Sequence, residues 1–239
     1  MKGLIIATRF LTRLPTPRVT VSDEDFVRSM RWFPAVGIIV GLLVCLGAML
    51  GARIDPWIGA LAGLAIWVLI TGALHLDGLG DVADACGAAH KDRDKLLGVL
   101  ADPHVGSFAV VAIGLQLAAK LVLLRVLLDS APPAALILVP FAARIGPLAW
   151  AWWLTPLHQG LGARFRDGVR RTDIGLWIAA LLLASWFVPA LLAALAFIPL
   201  WGAWLKHKLG GISGDGHGSG IELVETGLLL AIVTLARFA

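Results

Sequence analysis

Three aspartates in the first half of the chain follow each other at helical spacing. Asp77, Asp81 and Asp84 stand at positions i, i+4 and i+7, so a helix through this segment carries all three carboxylates on one face. Like charges so placed repel each other, and no Lys or Arg has a matching spacing. Hard divalent cations take oxygen ligands, and Mg²⁺ binds a few carboxylates together with substrate phosphate. We therefore predict that these aspartates bind Mg²⁺, the alternative being a solvated acidic face.

Two more polar residues flank this acidic segment. His75 is two residues before Asp77, so on a regular helix it points roughly away from the carboxylates. Its role could be that of a ligand, a proton carrier or an interfacial cap. Asp102 directly precedes Pro103 and a long apolar stretch, which returns it toward the same end of the molecule. His75 and Asp102 are our candidates for the catalytic base or a further ligand.

A glycine-rich segment over residues 209–220 leads into Glu222 and Glu225. Six glycines in twelve residues allow the backbone to approach a ligand closely, and exposed amides suit phosphate. A flexible linker is the alternative, but a linker does not usually run straight into a helix with two glutamates on one face. The segment therefore predicts a loop that contacts substrate through Gly210, Gly211, Gly214, Asp215 and Glu222.

Two arginines extend this set of possible substrate contacts. Arg164 lies in a basic loop over residues 160–166, which suits phosphate or lipid headgroups. Arg144 lies within an apolar stretch, where a charge is costly in lipid, so we expect it to face the interior and to pair with an aspartate or a substrate phosphate. Carboxylates with metal, glycines and arginines together indicate a phosphoryl-type transfer.

The elements that must position these residues are membrane helices. Hydrophobic residues make up 59% of the 239 residues and charged residues only 15%, against roughly 45–50% and about 25% in soluble domains. Apolar stretches of about 20 residues cross a bilayer as helices. We predict an all-α bundle over residues 32–238 with about seven spans (six possible), in a single integral membrane domain over residues 1–239. The candidate spans are 32–51, 56–74, 104–127, 134–154, 174–187, 189–205 and 223–238.

Two segments of the chain differ from a simple membrane span. Residues 174–205 are nearly continuous in apolar character, and one helix of that length would exceed the hydrocarbon thickness, so Pro189 is predicted to break it into a hairpin. Residues 1–17 predict an amphipathic helix, with Lys2, Arg9 and Arg13 on one face. Such a helix usually lies in the headgroup region, although it could also be a packed arm.

The distribution of basic residues predicts the orientation. With seven spans and a cytoplasmic N-terminus, the inside segments hold fifteen Lys and Arg, whereas the outside segments hold only Arg53 and Arg237. Positive residues favour the cytoplasmic side of short loops. The long loops 75–103, 155–173 and 206–222 should therefore meet at the cytoplasmic face of a bacterial inner membrane. The basic residues do not form the pattern of a nucleic-acid site, so no nucleic acid is expected as a partner.

At these residues the chain resembles the cobalamin (5′-phosphate) synthases, the adenosylcobinamide-GDP ribazoletransferases. The similarity covers nearly the whole chain. The combination of a histidine–aspartate–glycine motif with a late glycine–aspartate loop is its most specific part. The matching segments are 9–15, 31–34 with Gly37 and Gly41, 75–79 with Asp81 and Asp84, 102–107, 160–162, and 210–215 with Glu222 and Glu225.

The resemblance implies a Mg²⁺-dependent transfer late in adenosylcobalamin assembly. A hydroxyl of α-ribazole, or of its 5′-phosphate, attacks the cobinamide-linked phosphorus of adenosylcobinamide-GDP, and GMP leaves. The implied partners are these two substrates and membrane lipid. A homo-oligomer, or a complex with other cobalamin-assembly enzymes, is a further expectation.

Two other functions remain open from the sequence. CDP-alcohol phosphatidyltransferases run the same type of displacement, but their signature has Ala-Arg two residues after Asp-Gly, where this chain has Asp81 after Asp77-Gly78. A transporter could use the acidic groups and Arg144 for ion passage. The polar residues instead cluster at one predicted membrane face, and no internal repeat of the transporter kind is present.

Overall fold

The computed structural model describes residues 2–88, 93–100, 102, 104–157 and 165–238, and all its regular elements are helical. Three short 3₁₀ helices lie at Met30–Trp32, Arg166–Gly168 and Pro189–Ala193. The α-helices are α1 (Lys2–Leu11), α2 (Asp23–Ser29), α3 (Phe33–Ala52), α4 (Pro56–Thr71), α5 (Leu74–Ala88), α6 (Arg93–Leu100), α7 (Ser107–Ser130), α8 (Ala134–Ala143), α9 (Gly146–Trp153), α10 (Arg171–Ser185), α11 (Ala194–Lys208) and α12 (Gly214–Phe238).

Several of these helices are long and apolar enough to cross a membrane, so the predicted all-α membrane bundle is confirmed. Five segments of the described chain meet the criterion, and a sixth does so if α4 and α5 form one broken span. This count is below the predicted seven, and it reaches the six that were left possible only with the broken span. The segment predicted over 174–187 forms α10, whose 15 residues rise only about 22 Å. The five segments are Asp23–Ala52, Ser107–Ser130, Ala134–Trp153, Pro189–Lys208 and Gly214–Phe238.

The predicted break in the apolar stretch 174–205 is present. Helix α10 ends at Ser185, and a 3₁₀ helix begins at Pro189 before α11 starts at Ala194. Proline has no N–H to donate to the preceding turn. The chain can therefore change direction here without losing a backbone hydrogen bond from the middle of one long helix.

Small residues bring the first helices of the bundle close together. A Cβ at Gly37 or Gly41 of α3 would overlap the backbone of α8, and a Cβ at Gly59 of α4 would lie 2.7 Å from the Ala48 carbonyl oxygen of α3. Between membrane helices, close approach of this kind replaces much of the driving force that water supplies for soluble proteins. These contacts make α3, α4 and α8 one tightly packed unit.

A sharp turn between α4 and α5 sets the direction of the aspartate-bearing helix. Gly72 and Ala73 both have positive φ, +61° and +58°, a conformation that ends a helix and favours glycine. The axes of α4 and α5 differ by 84° as a result. Helix α5 therefore runs across the end of the span that precedes it.

The N-terminal helix packs on the rest of the protein. Ile6, Ala7 and Leu11 of α1 are buried, and Lys2 Nζ pairs with Asp25 Oδ2 of α2 at 2.6 Å. Phe10 stacks on Phe33 of α3, with ring centroids 5.9 Å apart. This arrangement matches the packed-arm alternative for the apolar face, while the depth of α1 in the membrane stays a prediction.

Candidate active site

The acidic segment forms the helix that its spacing predicted. Asp77, Asp81 and Asp84 all lie on α5. Their exposure falls along the helix, since Asp77 is exposed, Asp81 is half-buried and Asp84 is 8% exposed. The row of carboxylates thus runs from the surface into the protein.

Asp84 holds the start of α7. Its two carboxylate oxygens accept hydrogen bonds from the backbone N–H groups of Gly106 (2.7 Å) and Ala109 (3.0 Å). These N–H groups belong to the first turn of α7, where no intrahelical acceptor exists and where a negative charge is favoured. A Cβ at Gly106 would lie 2.5 Å from Asp84 Oδ1, so the contact needs glycine. Asp84 therefore joins α7 to α5, and metal binding by Asp84 stays a prediction.

Asp215 from the other end of the sequence joins the row on α5. Gly78 makes this possible, because a Cβ there would lie only 2.8 Å from Asp215 Cα. Asp81 is within electrostatic reach of Asp215, Asp77 and Asp84, with Asp215 exerting the largest effect. We call these four side chains the carboxylate group. The sequence predicted Asp215 in a loop near the substrate, but its contact with α5 was not predicted.

The carboxylate group suits a divalent cation in its chemistry. None of the ion pairs among the described residues includes Asp77 or Asp81, so their negative charge has no internal counterion there. No three His, Cys, Asp or Glu side chains in the described ranges are close enough to enclose an ion by themselves. Mg²⁺ does not require such a cage, because it is commonly held by one or two carboxylates, waters and substrate phosphates. One or two of Asp77, Asp81 and Asp215 therefore fit an open site of this kind.

The predicted glycine-rich ligand loop is largely helical, which corrects the sequence interpretation. Helix α12 begins at Gly214, and the Ser213 hydroxyl caps it by accepting from the Gly216 N–H at 3.0 Å. Glycine disfavours helix because of its backbone freedom, but here it permits packing. A Cβ at Gly218 would lie 3.3 Å from His75 Cα, and one at Gly220 would overlap Trp201.

The three glycines predicted to contact substrate differ in their surroundings. Gly210 has φ +81° just after α11, so it serves the turn. Gly211 packs on the Thr155 carbonyl, where a Cβ would not fit. Only Gly214 has open space where a Cβ would stand. Of the three, Gly214 is thus the one placed for close approach of a ligand.

Arg144 and Glu222 belong to a buried ion-pair network rather than to an open surface. Arg144 Nη1 pairs with Glu225 Oε1 at 2.7 Å, and Lys120 Nζ pairs with Glu225 Oε2 at 2.6 Å and with Glu222 Oε2 at 2.7 Å. Gln116 Nε2 donates to Glu222 Oε2 at 2.8 Å. The four charged residues are between 0% and 4% exposed.

This network alters two predictions and adds a residue. The expectation that Arg144 faces the interior is confirmed, but its partner is Glu225 and not an aspartate. Because Arg144 and Glu222 are buried against internal partners, their placement argues against direct substrate contact. Lys120 was not predicted as a functional residue, although a lysine inside an apolar span itself indicates a buried partner.

His75 lies on the inner side of α5. It is 2% exposed, and neither ring nitrogen has a hydrogen-bond partner among the described residues. It is within electrostatic reach of Arg144 and Lys120. The structure therefore turns His75 toward the buried network, as expected for a residue two positions from Asp77.

Asp102 is exposed and bonded to His104. The His104 backbone N–H donates to Asp102 Oδ1 at 3.0 Å, and His104 Nδ1 lies 2.6 Å from the same oxygen. These hydrogen bonds hold the pKa of Asp102 below its ordinary value. The carboxylate is therefore ionised at neutral pH and able to accept a proton. Arg164, the remaining predicted contact, lies outside the described residues.

Comparison with known proteins matches this chain to one family. A family model described as cobalamin-5-phosphate synthase matches residues 3–233. The adenosylcobinamide-GDP ribazoletransferase of Novosphingobium aromaticivorans is 61% identical over 236 residues, covering 97% of this chain and 96% of that protein. The protein of the same name from Thiobacillus denitrificans is 51% identical over 239 residues, covering 99% and 97%.

More distant relatives keep the same length and name. The adenosylcobinamide-GDP ribazoletransferase of Brevibacillus brevis is 32% identical and covers 98% of each chain. No solved structure is significantly similar to this chain. Because the family match and the relatives extend over nearly every residue, the chain belongs to the cobalamin-5-phosphate synthase family.

Proposed function

We propose that this chain transfers the adenosylcobinamide-phosphate group of adenosylcobinamide-GDP to α-ribazole or its 5′-phosphate, with release of GMP, and that it uses Mg²⁺ to do so. The transferase activity is that of the named relatives. The observation that carries the proposal within this chain is the approach of Asp215 on α12 to the aspartates of α5. It supports the proposal because it brings carboxylates from two distant segments of the sequence near each other.

Asp77 and Asp81, with Asp215 beside them, are the residues proposed to hold Mg²⁺. When bound there, the cation would neutralise charge on the diphosphate and align the attacking and leaving oxygens. The carboxylates by themselves would repel a diphosphate, so substrate and cation should bind together. Gly214, with its open flank at the start of α12, leaves room for phosphate oxygens near a helix N-terminus.

Asp102 is proposed as the acceptor of the ribazole hydroxyl proton. It is exposed and ionised, so a substrate hydroxyl can reach it from water. His75, the other candidate, is sealed inside the bundle. We assign His75 to a positioning role, where it supports the packing of α5 against Gly218 of α12.

The bacterial inner membrane is proposed as the location, with the carboxylate group at the cytoplasmic face. This orientation is supported by the excess of Lys and Arg in the loops predicted at the cytoplasmic face, the side that basic residues favour. Labelling of single cysteines by a membrane-impermeant maleimide tests the orientation. A cysteine at exposed Arg166 should react only after permeabilisation of spheroplasts, and one at exposed Arg53 should react before it. The reverse pattern overturns the orientation. Assembly into a homo-oligomer, or with other cobalamin-assembly enzymes, stays a prediction.

The direct test is GMP release by the purified chain in lipid nanodiscs. The assay contains adenosylcobinamide-GDP and α-ribazole, with Mg²⁺ or with EDTA. We expect release that requires both substrates and stops with EDTA. Release that persists in EDTA overturns the metal proposal alone. No release in either condition overturns the proposed function and directs the next assay to CDP-alcohol substrates, and then to ion flux in proteoliposomes.

A further inference from the structure

An apolar cavity lies between α9, α10 and α11, away from the carboxylate group. Its volume is about 250 Å³, below the roughly 300–1,000 Å³ of pockets that enclose drug-sized ligands. Its walls are almost entirely apolar, so a nucleotide or a corrin would find no partners there. The lining includes Ala149, Trp152 and Trp153 of α9, Ile178 of α10, and Leu195 and Ile198 of α11.

Exposed tryptophans lie at both ends of α10, the helix along which the cavity runs. Trp152 and Trp153 near the start of α10 are 45% and 43% exposed, and Trp186 just after its end is 86% exposed. Tryptophans concentrate at the two interfaces of a membrane. The cavity runs along α10 between these two levels, since Ile174, Ile178 and Leu181 face it from successive turns.

A basic side chain stands at one end of the cavity. The guanidinium carbon of Arg171 lies 5.0 Å from the ring centre of Trp152, which itself lines the cavity. None of the ion pairs in the described ranges includes Arg171. An exposed arginine at the interface attracts a phosphate group, and it can bind two of its oxygens at once.

We infer that this cavity binds the segment of one acyl chain next to the headgroup of an anionic phospholipid, with the lipid phosphate on Arg171. The apolar walls match the chain, and the positive charge at the interface matches the headgroup. The site is separate from the proposed reaction, because none of its lining residues belongs to the carboxylate group or to the buried ion-pair network.

Lipid retention in native mass spectrometry tests this site. The intact chain is extracted from nanodiscs of phosphatidylglycerol and phosphatidylcholine in equal amounts, and the bound lipids are counted. We expect one retained phosphatidylglycerol. Ala149→Phe fills the cavity and should abolish retention, whereas Ala179→Phe, on the exposed side of α10, should not.

A surface variant keeps the test decisive if the filled cavity disturbs folding. Arg171→Gln should lower the preference for phosphatidylglycerol over phosphatidylcholine by about fivefold, the effect of one cation near an anionic membrane surface. Arg53→Gln removes the same charge from an exposed position between α3 and α4, outside the cavity lining, and should leave the preference unchanged. Equal retention in wild type and Ala149→Phe overturns the proposal.

Two further outcomes also overturn it. Wild type that retains no lipid has no such site. Displacement of the retained lipid by α-ribazole would assign the cavity to the apolar base of the substrate instead. Because the readout is lipid retention, a negative result leaves the GMP-release assay and the proposed function untouched.

Discussion

Acidic side chains concentrate in two regions of the molecule, and the regions differ in how their charge is balanced. Glu222 and Glu225, in the interior, meet Lys120 and Arg144 at 2.6–2.7 Å, so two anions face two cations. The carboxylate group near the surface brings four anions together on α5 and α12, and Asp77 and Asp81 have no ion pair within the described ranges.

This difference separates charges that stabilise the fold from charges that are available to bind a ligand. A buried charge without a partner is too costly to persist, so the charges of the interior network must be paired before any substrate arrives. Near the surface, water can solvate an excess of negative charge until a cation binds. The same residue types therefore serve stability in one region and chemistry in the other.

The largest effect should come from breaking the balanced region. Glu225→Gln removes the anion that Lys120 and Arg144 share, so Lys120 keeps only Glu222 and Arg144 loses its paired carboxylate. Breaking a buried ion pair from one side destabilises by about 3–5 kcal/mol. Reversible denaturation in detergent measures the loss of unfolding free energy. Glu24→Gln, from an exposed pair with Arg28 at 2.6 Å, is the control and should change stability by at most about 1 kcal/mol. Equal stability of Glu225→Gln and wild type would contradict the role of the network.

A similar change in the unbalanced region should act on activity instead. Asp81→Asn relieves repulsion, so the unfolding free energy should not fall. GMP release should drop by about 10²–10³-fold, the usual effect of removing one strong electrostatic stabiliser. The measurement is GMP release against Mg²⁺ concentration, together with thermal unfolding. The control is Asp129→Asn, which changes an exposed carboxylate near the end of α7 that pairs with Arg125. Loss of stability with full activity would contradict the proposal that Asp81 serves the reaction and not the fold.

Asp84 belongs to the carboxylate group but has backbone partners. Its loss should therefore reduce stability more than the loss of Asp81 and less than the loss of Glu225. Asp84→Ala removes the acceptor at the start of α7 and should destabilise by about 0.5–2 kcal/mol, as for other helix caps. Hydrogen exchange at the Ala109 amide should rise together with this loss. Unchanged exchange at that amide would show that the cap does not hold α7 in solution.

The smallest effect concerns Asp102 and pH. Its pKa is already lowered from 3.8 by hydrogen bonds from the backbone and side chain of His104, so His104→Ala should raise it back toward 3.8. The lowered pKa and the ordinary pKa both lie far below neutrality, so Asp102 stays ionised in the wild type and in the variant. GMP release should therefore keep the wild-type profile between about pH 5 and 8. A variant profile that differs from the wild-type profile within this range would show that His104 itself titrates during the reaction.

Much of the fold and part of the site could be predicted because the signals are local. The spacing of Asp77, Asp81 and Asp84 predicted one helical face, and α5 provides it. Pro189 predicted the break between α10 and α11. The helix from Gly214 could not be predicted, since the low helix propensity of glycine is overcome only by close packing of α12 on α5 at Gly218.

The sequence by itself determined that the chain resides in a membrane and which chemistry its polar residues suit. Hydropathy and residue type are properties of short segments, and they hold in any packing. Only the tertiary structure decided which charges are compensated. Arg144 and Glu225 are 81 positions apart, and Asp215 meets α5 only because Gly78 lets two helices cross closely. Pairing across such separations depends on how the helices pack, which no local pattern encodes.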